Sequence, residues 1–199
     1  MPVAGRVVTG YSKPKIADYA CTAGVISYSN GMTLARGVSV EISVDEGDSN
    51  NFYADNQLAE SDSGAFTSGT ATLTVDGLKA NAEKSIQGLP TADDDGFLNY
   101  NDDQNKGYKG IGYITRYQSD GVVTFVPTII VKTKFNQLSR SAQTQEESKN
   151  YQTQQLTARI HRGDDAKHTW LKVSETEYET EAAAEAALNA ALGITNVGG

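Results

Sequence analysis

Two runs of period-two alternation limit what this chain can become. In the first, Val38, Val40, Ile42 and Val44 alternate with Ser39, Glu41, Ser43 and Asp45; in the second, Ala71, Leu73 and Val75 alternate with Thr70, Thr72 and Thr74. Successive side chains of a strand point to opposite faces, so each run predicts a strand with one buried and one wet face. Between them lies a polar stretch rich in Asn, Asp and Ser. A long excursion from about Asp45 to Gly69 therefore leaves one half-buried strand and returns into another, and neither strand needs it for its own core.

The remaining chain reads mostly as strands with two helices. Met1 to Pro14 carries Pro2, Gly5, Gly10 and Pro14 with little apolar pattern, which predicts a flexible arm. Lys15 to Ser27 reads as one long or two short strands, with a hairpin turn at Ser29-Asn30-Gly31, because Asn-Gly accepts the positive φ of a tight turn. A short helix is expected from about Lys79 to Gln87, ended by Gly88 and Pro90. Ile111 to Gln118 and Val122 to Lys134 form strands joined at Ser119-Asp120-Gly121. Pro127 cannot donate to a ladder, so it predicts an edge or a bulge there. Ser139 to Lys149 reads as a polar loop or one helical turn, Asn150 to Arg162 as a strand, and His168 to Ser174 as a strand carrying Trp170. Ala184, Ala187, Leu188, Ala191 and Leu192 recur at helical spacing, which predicts an amphipathic helix from about Thr176 to Leu192 with a small face that can lie close on a sheet. A loose tail, 194–199, follows. The expected architecture is mainly β, an antiparallel sandwich or barrel with a short central helix and a C-terminal amphipathic helix, in one domain over 15–193.

Composition narrows the function classes. At 199 residues one core suffices without staples. A formal net charge of -8 argues against a protein built to grip nucleic acid, which needs clustered Lys and Arg. Cys21 is the only cysteine, so no intrachain disulfide forms; it reads as a small buried hydrophobe. The N-terminus lacks the apolar core of a secretory signal and no run approaches the length of a membrane helix, so assembly in the cytoplasm without a membrane is expected.

Sites for chemistry are scarce. The chain has no P-loop, GxGxxG, GxSxG, HExxH or paired-Cys motif, and no catalytic residue or cofactor is assigned. Thr91 to Gly110 is an acidic surface loop. Its calcium-loop reading fails because Thr91 stands where an acid is needed and Asp102 where a Glu is needed. His161 and His168 flank the Gly163 turn without a convincing third metal ligand, so both read as surface residues. Ten Tyr fit a strand-rich fold and equally a sugar-binding surface.

Specific words in the sequence carry a family likeness. Tyr53-Ala54-Asp55, an acidic patch, a Ser-Gly turn and Thr72-Leu73-Thr74-Val75-Asp76-Gly77-Leu78, followed by Thr144-Gln145-Glu146-Glu147-Ser148 and Tyr151-Gln152-Thr153-Gln154-Gln155-Leu156, resemble the major tail tube protein of long non-contractile-tailed bacteriophages. Gln154 stands where that family often has Pro. The resemblance covers roughly Lys15 to Gly193. It implies an architecture like the inner tube of type VI secretion and a structural virion protein. Six copies would form a ring, and rings would stack into the conduit through which the genome leaves. Partners would be the chain itself and the tape measure, tail terminator and distal tail proteins, with DNA passing unbound. Under that likeness, Tyr53, Asp55, Glu60 and Asp62 are expected at assembly contacts, and Ser39, Glu41, Ser43, Thr70, Thr72 and Thr74 on the channel face, polar or acidic so that DNA slides. The alternatives are a carbohydrate- or receptor-binding β-sandwich of a virion or cell surface and, more remotely, a hydrolase with an acidic pair.

Overall fold

A computed structural model describes residues 5–47, 50–54, 56–62, 65–144 and 151–194. Strand β1 (Val7–Thr22) turns into β2 (Val25–Thr33), and β3 (Gly37–Glu46) runs on into two short strands, β4 (Asn50–Ala54) and β5 (Gln57–Asp62). Strand β6 (Phe66–Val75) then returns beside β3, followed by helix α1 (Ala80–Gln87). The chain continues through β7 (Lys109–Ser119), β8 (Val122–Phe135), β9 (Gln154–His161), β10 (Leu171–Val173) and helix α2 (Glu181–Ala191). The main sheet has the order β2-β1-β7-β8-β9-β6-β3, with β10 added beside β8 and every pairing antiparallel. This is the mainly-β, sandwich- or barrel-like fold with two helices that the alternation predicts, with the sheet left open.

The strands of the sheet bury their two faces in two different cores. On the inner face, Ile16, Ile111 and Ile130 meet Ala71, Leu73, Val75, Leu156, Ala158 and Ile160, with Ala82 and Ile86 of α1 against them. Each Ile, Leu or Val among them contributes about 1.5–3 kcal/mol relative to an exposed one, more than a typical surface ion pair. Near the open seam, β1 and β3 approach without pairing. The Leu34 amide donates to the Pro14 carbonyl at 2.9 Å. Gly37 leaves room for the Tyr11 ring, whose nearest carbon would sit 2.2 Å from an added Cβ.

On the outer face, α2 covers Ala17, Ile114 and Ile129 with Ala184, Leu188 and Leu192. The close approach comes from the sheet as much as from the helix: a Cβ on Gly112 would lie 2.6 Å from Leu192 Cδ1 and 2.7 Å from Leu188 Cδ1. Of the expected small face, Ala184 is buried and Ala191 is exposed. The helix starts later than Thr176 because the chain before it is spent on the sheet: Phe125 and Tyr178 exchange backbone hydrogen bonds of 2.8 and 3.0 Å. The Thr180 side chain then caps the first turn, accepting from the Ala183 amide at 3.2 Å.

Three local expectations are corrected. Residues 7–14, expected in a flexible arm, form the first half of β1 and pair with β7 from Val7↔Gln118 to Ser12↔Ile114; residues 1–4 of that arm lie outside the described residues. The β1–β2 hairpin turns at Ala23-Gly24 (φ 50° and 77°), and Asn30 spends its positive φ of 50° inside β2, where the register slips between Ile16↔Met32 and Asp18↔Ser29. Cys21 is half-exposed on β1. Strands β9 and β10 both lie on the same side of β8, β9 beside Lys132 to Phe135 and β10 beside Thr128 to Ile130.

That division explains Pro127. It pairs with Ile114 of β7 inside the sheet, yet its carbonyl accepts from the Ser174 amide at 2.9 Å on the other side. Backbone polarity alternates along a strand, so its missing N–H faces away from β7, between β10 and the Phe125–Tyr178 bridge. Pro127 thus occupies a local edge within a central strand.

The helix and the sheet are also joined by charge. Glu185 of α2 pairs with Lys15 at 2.7 Å and with Lys13 at 3.1 Å, Asp18 pairs with Lys109, and Asp164 pairs with Lys132 at 2.7 Å. Burial works to raise Glu185 and Asp18, but the hydrogen bonds from their lysines prevail and hold both below the ordinary carboxylate range; the Lys132 bond does the same for Asp164. A carboxylate with a depressed folded pKa stabilises above its unfolded pKa and loses that contribution as pH falls through the folded value. Urea midpoints are therefore expected to fall progressively once pH passes below the ordinary values of 4.5 for Glu and 3.8 for Asp.

Candidate functional site

The stretch between β3 and β6 is a hairpin arm. Beyond the last main-sheet pair, Glu46↔Phe66, the Gly47 amide donates to the Ala65 carbonyl at 3.0 Å, and pairing resumes from Asn50↔Asp62 to Ala54↔Gln57. At the end of the arm Asn56, just before β5, has a positive φ of 60°. Among the described residues, β4 and β5 form a sheet of their own and pair with no strand of the main sheet. At its base, Phe66 stacks on Trp170 with centroids 4.5 Å apart and planes 10° from parallel. Of the residues expected at assembly contacts, Tyr53 lies on β4 and Glu60 and Asp62 lie on β5; Asp55 lies outside the described residues. Five residues of strand reach about 17 Å at 3.3–3.4 Å each, so the arm is long for a chain of this size.

All six residues expected on a channel wall fall on one face. The β3–β6 register sets Ser39 opposite Thr74, Glu41 opposite Thr72 and Ser43 opposite Thr70. The β6–β9 register extends those rows to Gln155, Thr157 and Arg159, and the β8–β9 register adds Lys134 opposite Arg159 and Lys132 opposite His161. Directly opposed side chains on one face are neighbours. The result is a four-strand polar face on the outside of the β3 half of the sheet, turned away from the core that holds Ala71, Leu73 and Val75.

Its charge is mixed. Glu41 and Asp45 stand on β3 at the edge, and the far side is basic. There Lys132 lies 4.4 Å and Lys134 5.6 Å from the centre of the Tyr108 ring, and His161 meets the same ring edge-on at 5.3 Å. Burial first, then the charges of Arg159, Lys132 and Lys134, push the His161 pKa down. Burial and Lys134 do the same to Lys106. Among the described residues Lys134 and Arg159 have no ion-pair partner, and Arg159 makes only a 3.4 Å hydrogen bond to the Ser68 hydroxyl. The cluster joins β8, β9 and the residue before β7, and only the sheet register brings them together.

The other candidates are occupied structurally. In the acidic loop, the Asp93 carboxylate accepts from the Phe97 amide at 2.7 Å and from Asn99 at 3.0 Å, and its carbonyl accepts from the Gly96 amide at 2.9 Å. Tyr100 and Arg140 both donate to Glu83, which ties that loop to α1. His168 Nδ1 contacts the Gly163 carbonyl at 3.1 Å, while Asp165 accepts from the Thr169 amide at 2.8 Å. Among the described residues no three of His, Cys, Asp and Glu stand together as a metal site, and no helix is long and apolar enough to cross a membrane. Compared with known proteins, the chain matches no family model and no curated protein.

Proposed function

We propose that this chain is a structural subunit that assembles with copies of itself into a hollow tube of the phage-tail kind. The observation that carries this reading is the hairpin arm, whose backbone pairing continues past the core into a ribbon that serves no part of the main sheet. A folded domain with such an outgrowth gains from it only by contact with something else. Two further features support the reading. The sheet is open, so β3 and β2 present unpaired edges on which another copy can add strands. The polar face beside β3 carries Ser and Thr hydroxyls in rows, a surface suited to a wet wall over which a polyanion moves without a fixed site. Six-fold rings, stacking and the terminal partner proteins are proposed with it, from the resemblance alone.

The test is deletion of 50–63. The truncated protein is expected to keep its far-UV spectrum and, by urea titration, its unfolding free energy within about 1 kcal/mol, since loops closed by a shorter link change chain entropy little. It is expected to form no rings or tubes by negative-stain microscopy at concentrations where the full chain forms them. Normal tubes from the deleted protein would refute the reading.

A further inference from the structure

The basic cluster around Tyr108 needs an explanation that the fold does not supply. Gathering Lys106, Lys134, Arg159 and Lys132 on one surface opposes their charges; burial is the larger cause that lowers His161 and Lys106, and the neighbouring cations add to it. Among the described residues, Asp164 is the one acid that pairs with it, through Lys132. In a chain of net charge -8, such a cluster is a local exception. The complementary exception is the hairpin arm: no Lys, Arg or His occurs between Ile42 and Leu78, while Asp45, Glu46, Glu60 and Asp62 lie on its strands and base.

We propose that the acidic β4–β5 arm of one copy seats on the basic, tyrosine-centred surface formed by Lys106, Tyr108, Lys132, Lys134 and Arg159 of a second copy. This inference rests on the self-assembly reading and adds to it the surface that receives the arm. Charge complementarity selects the occupant. An extended ribbon fits a sheet face, with carboxylates reaching the two unpaired cations, Lys134 and Arg159, and one face of Tyr108 as an apolar floor. Opposite charges across an interface set register and association rate, and they make assembly sensitive to salt.

Two measurements on the full-length protein test it. In the first, Lys134→Glu with Arg159→Glu, and separately Glu60→Lys with Asp62→Lys, are each expected to raise the concentration needed for assembly about tenfold or more. The four changes together are expected to return it to within about threefold of the parent. In the second, a mixture of isotopically light and heavy parent protein is treated with a carbodiimide that joins carboxylates to amines without a spacer. Mixed-isotope crosslinks from Glu60 or Asp62 to Lys134, Lys132 or Lys106 are expected. Parent protein that remains monomeric and gives no mixed crosslinks overturns both this inference and the self-assembly reading. Rings or tubes whose formation ignores the reversals, or whose crosslinks bypass the cluster or stay within one copy, overturn this inference alone. So does loss of single-stranded DNA binding in the Lys134→Glu, Arg159→Glu protein with assembly intact, since the cluster then serves a nucleic acid.

Discussion

Gly88→Ala is expected to destabilise the protein by about 3 kcal/mol or more, from the sum of a left-handed backbone and an overpacked site. Gly88 ends α1 at φ 60° and ψ 39°, where an L side chain is disfavoured. Its Cβ would stand 2.0 Å from the Asn105 carbonyl oxygen and 2.7 Å from the Lys106 amide nitrogen. Those atoms are backbone and cannot rotate aside. The Asn105 amide also donates to the Gly88 carbonyl at 2.9 Å, so the glycine is the point where the loop 91–108 is tied back to the helix. Displacing it disturbs both the packing of Ile86 and the approach to β7. Gly96→Ala is the control. It too has a positive φ, 84°, but nothing lies within 4 Å of an added Cβ, so only the backbone penalty of about 1–2 kcal/mol remains. Urea titrations followed by circular dichroism separate the two; equal midpoints for both variants would show that the Asn105 contact does not matter.

Gly88 also shows what kind of feature a sequence discloses. Its role was legible because a local rule, glycine after the last helical residue, coincided with the tertiary need. Asp120-Gly121 was legible in the same way, with φ of 48° and 84° in the β7–β8 turn. Asn30-Gly31 misled for a matching reason: the pair accepts positive φ, but the sheet used it for a bulge and placed the turn at Ala23-Gly24, whose Ala carries no turn signal. The strands of the arm were not legible. A ribbon outside the main sheet is held by its backbone pairing, and the stretches NNFYA and QLAESD show no period-two pattern.

The candidate surfaces divide along similar lines. Period two alone placed Ser39, Glu41, Ser43, Thr70, Thr72 and Thr74 on wet faces, and the antiparallel register put those faces on the same side. The basic half of that face was hidden. Lys132 and Lys134 sit in a run read for its Ile and Val, Arg159 lies some two dozen residues on, and Tyr108 belongs to a loop. Their meeting depends on β9 pairing with β8, a long-range register that no local pattern discloses.

The helix-to-sheet ion pair yields the second large effect, and its asymmetry is the test. Glu185→Ala is expected to cost about 3 kcal/mol, at the lower end of the range for breaking a buried pair, because it strands a lysine that has almost no access to water. The Lys15 side chain is 5% exposed, whereas that of Glu185 is 25% exposed. Lys15→Met is expected to cost less, about 1 kcal/mol or below, since the carboxylate keeps Lys13 at 3.1 Å and its remaining contact with solvent, while the methionine stem fills the same space. Combining the two changes should recover most of the loss seen in Glu185→Ala alone, because no buried charge is then left over. The double variant should also show a flatter decline of stability below pH 4.5, one of the depressed carboxylates having been removed. Equal costs for the two single variants would mean that Lys15 finds water or another partner when Glu185 is gone, and that α2 is held to the sheet chiefly by the packing of Ala184, Leu188 and Leu192 over Ala17, Gly112, Ile114 and Ile129.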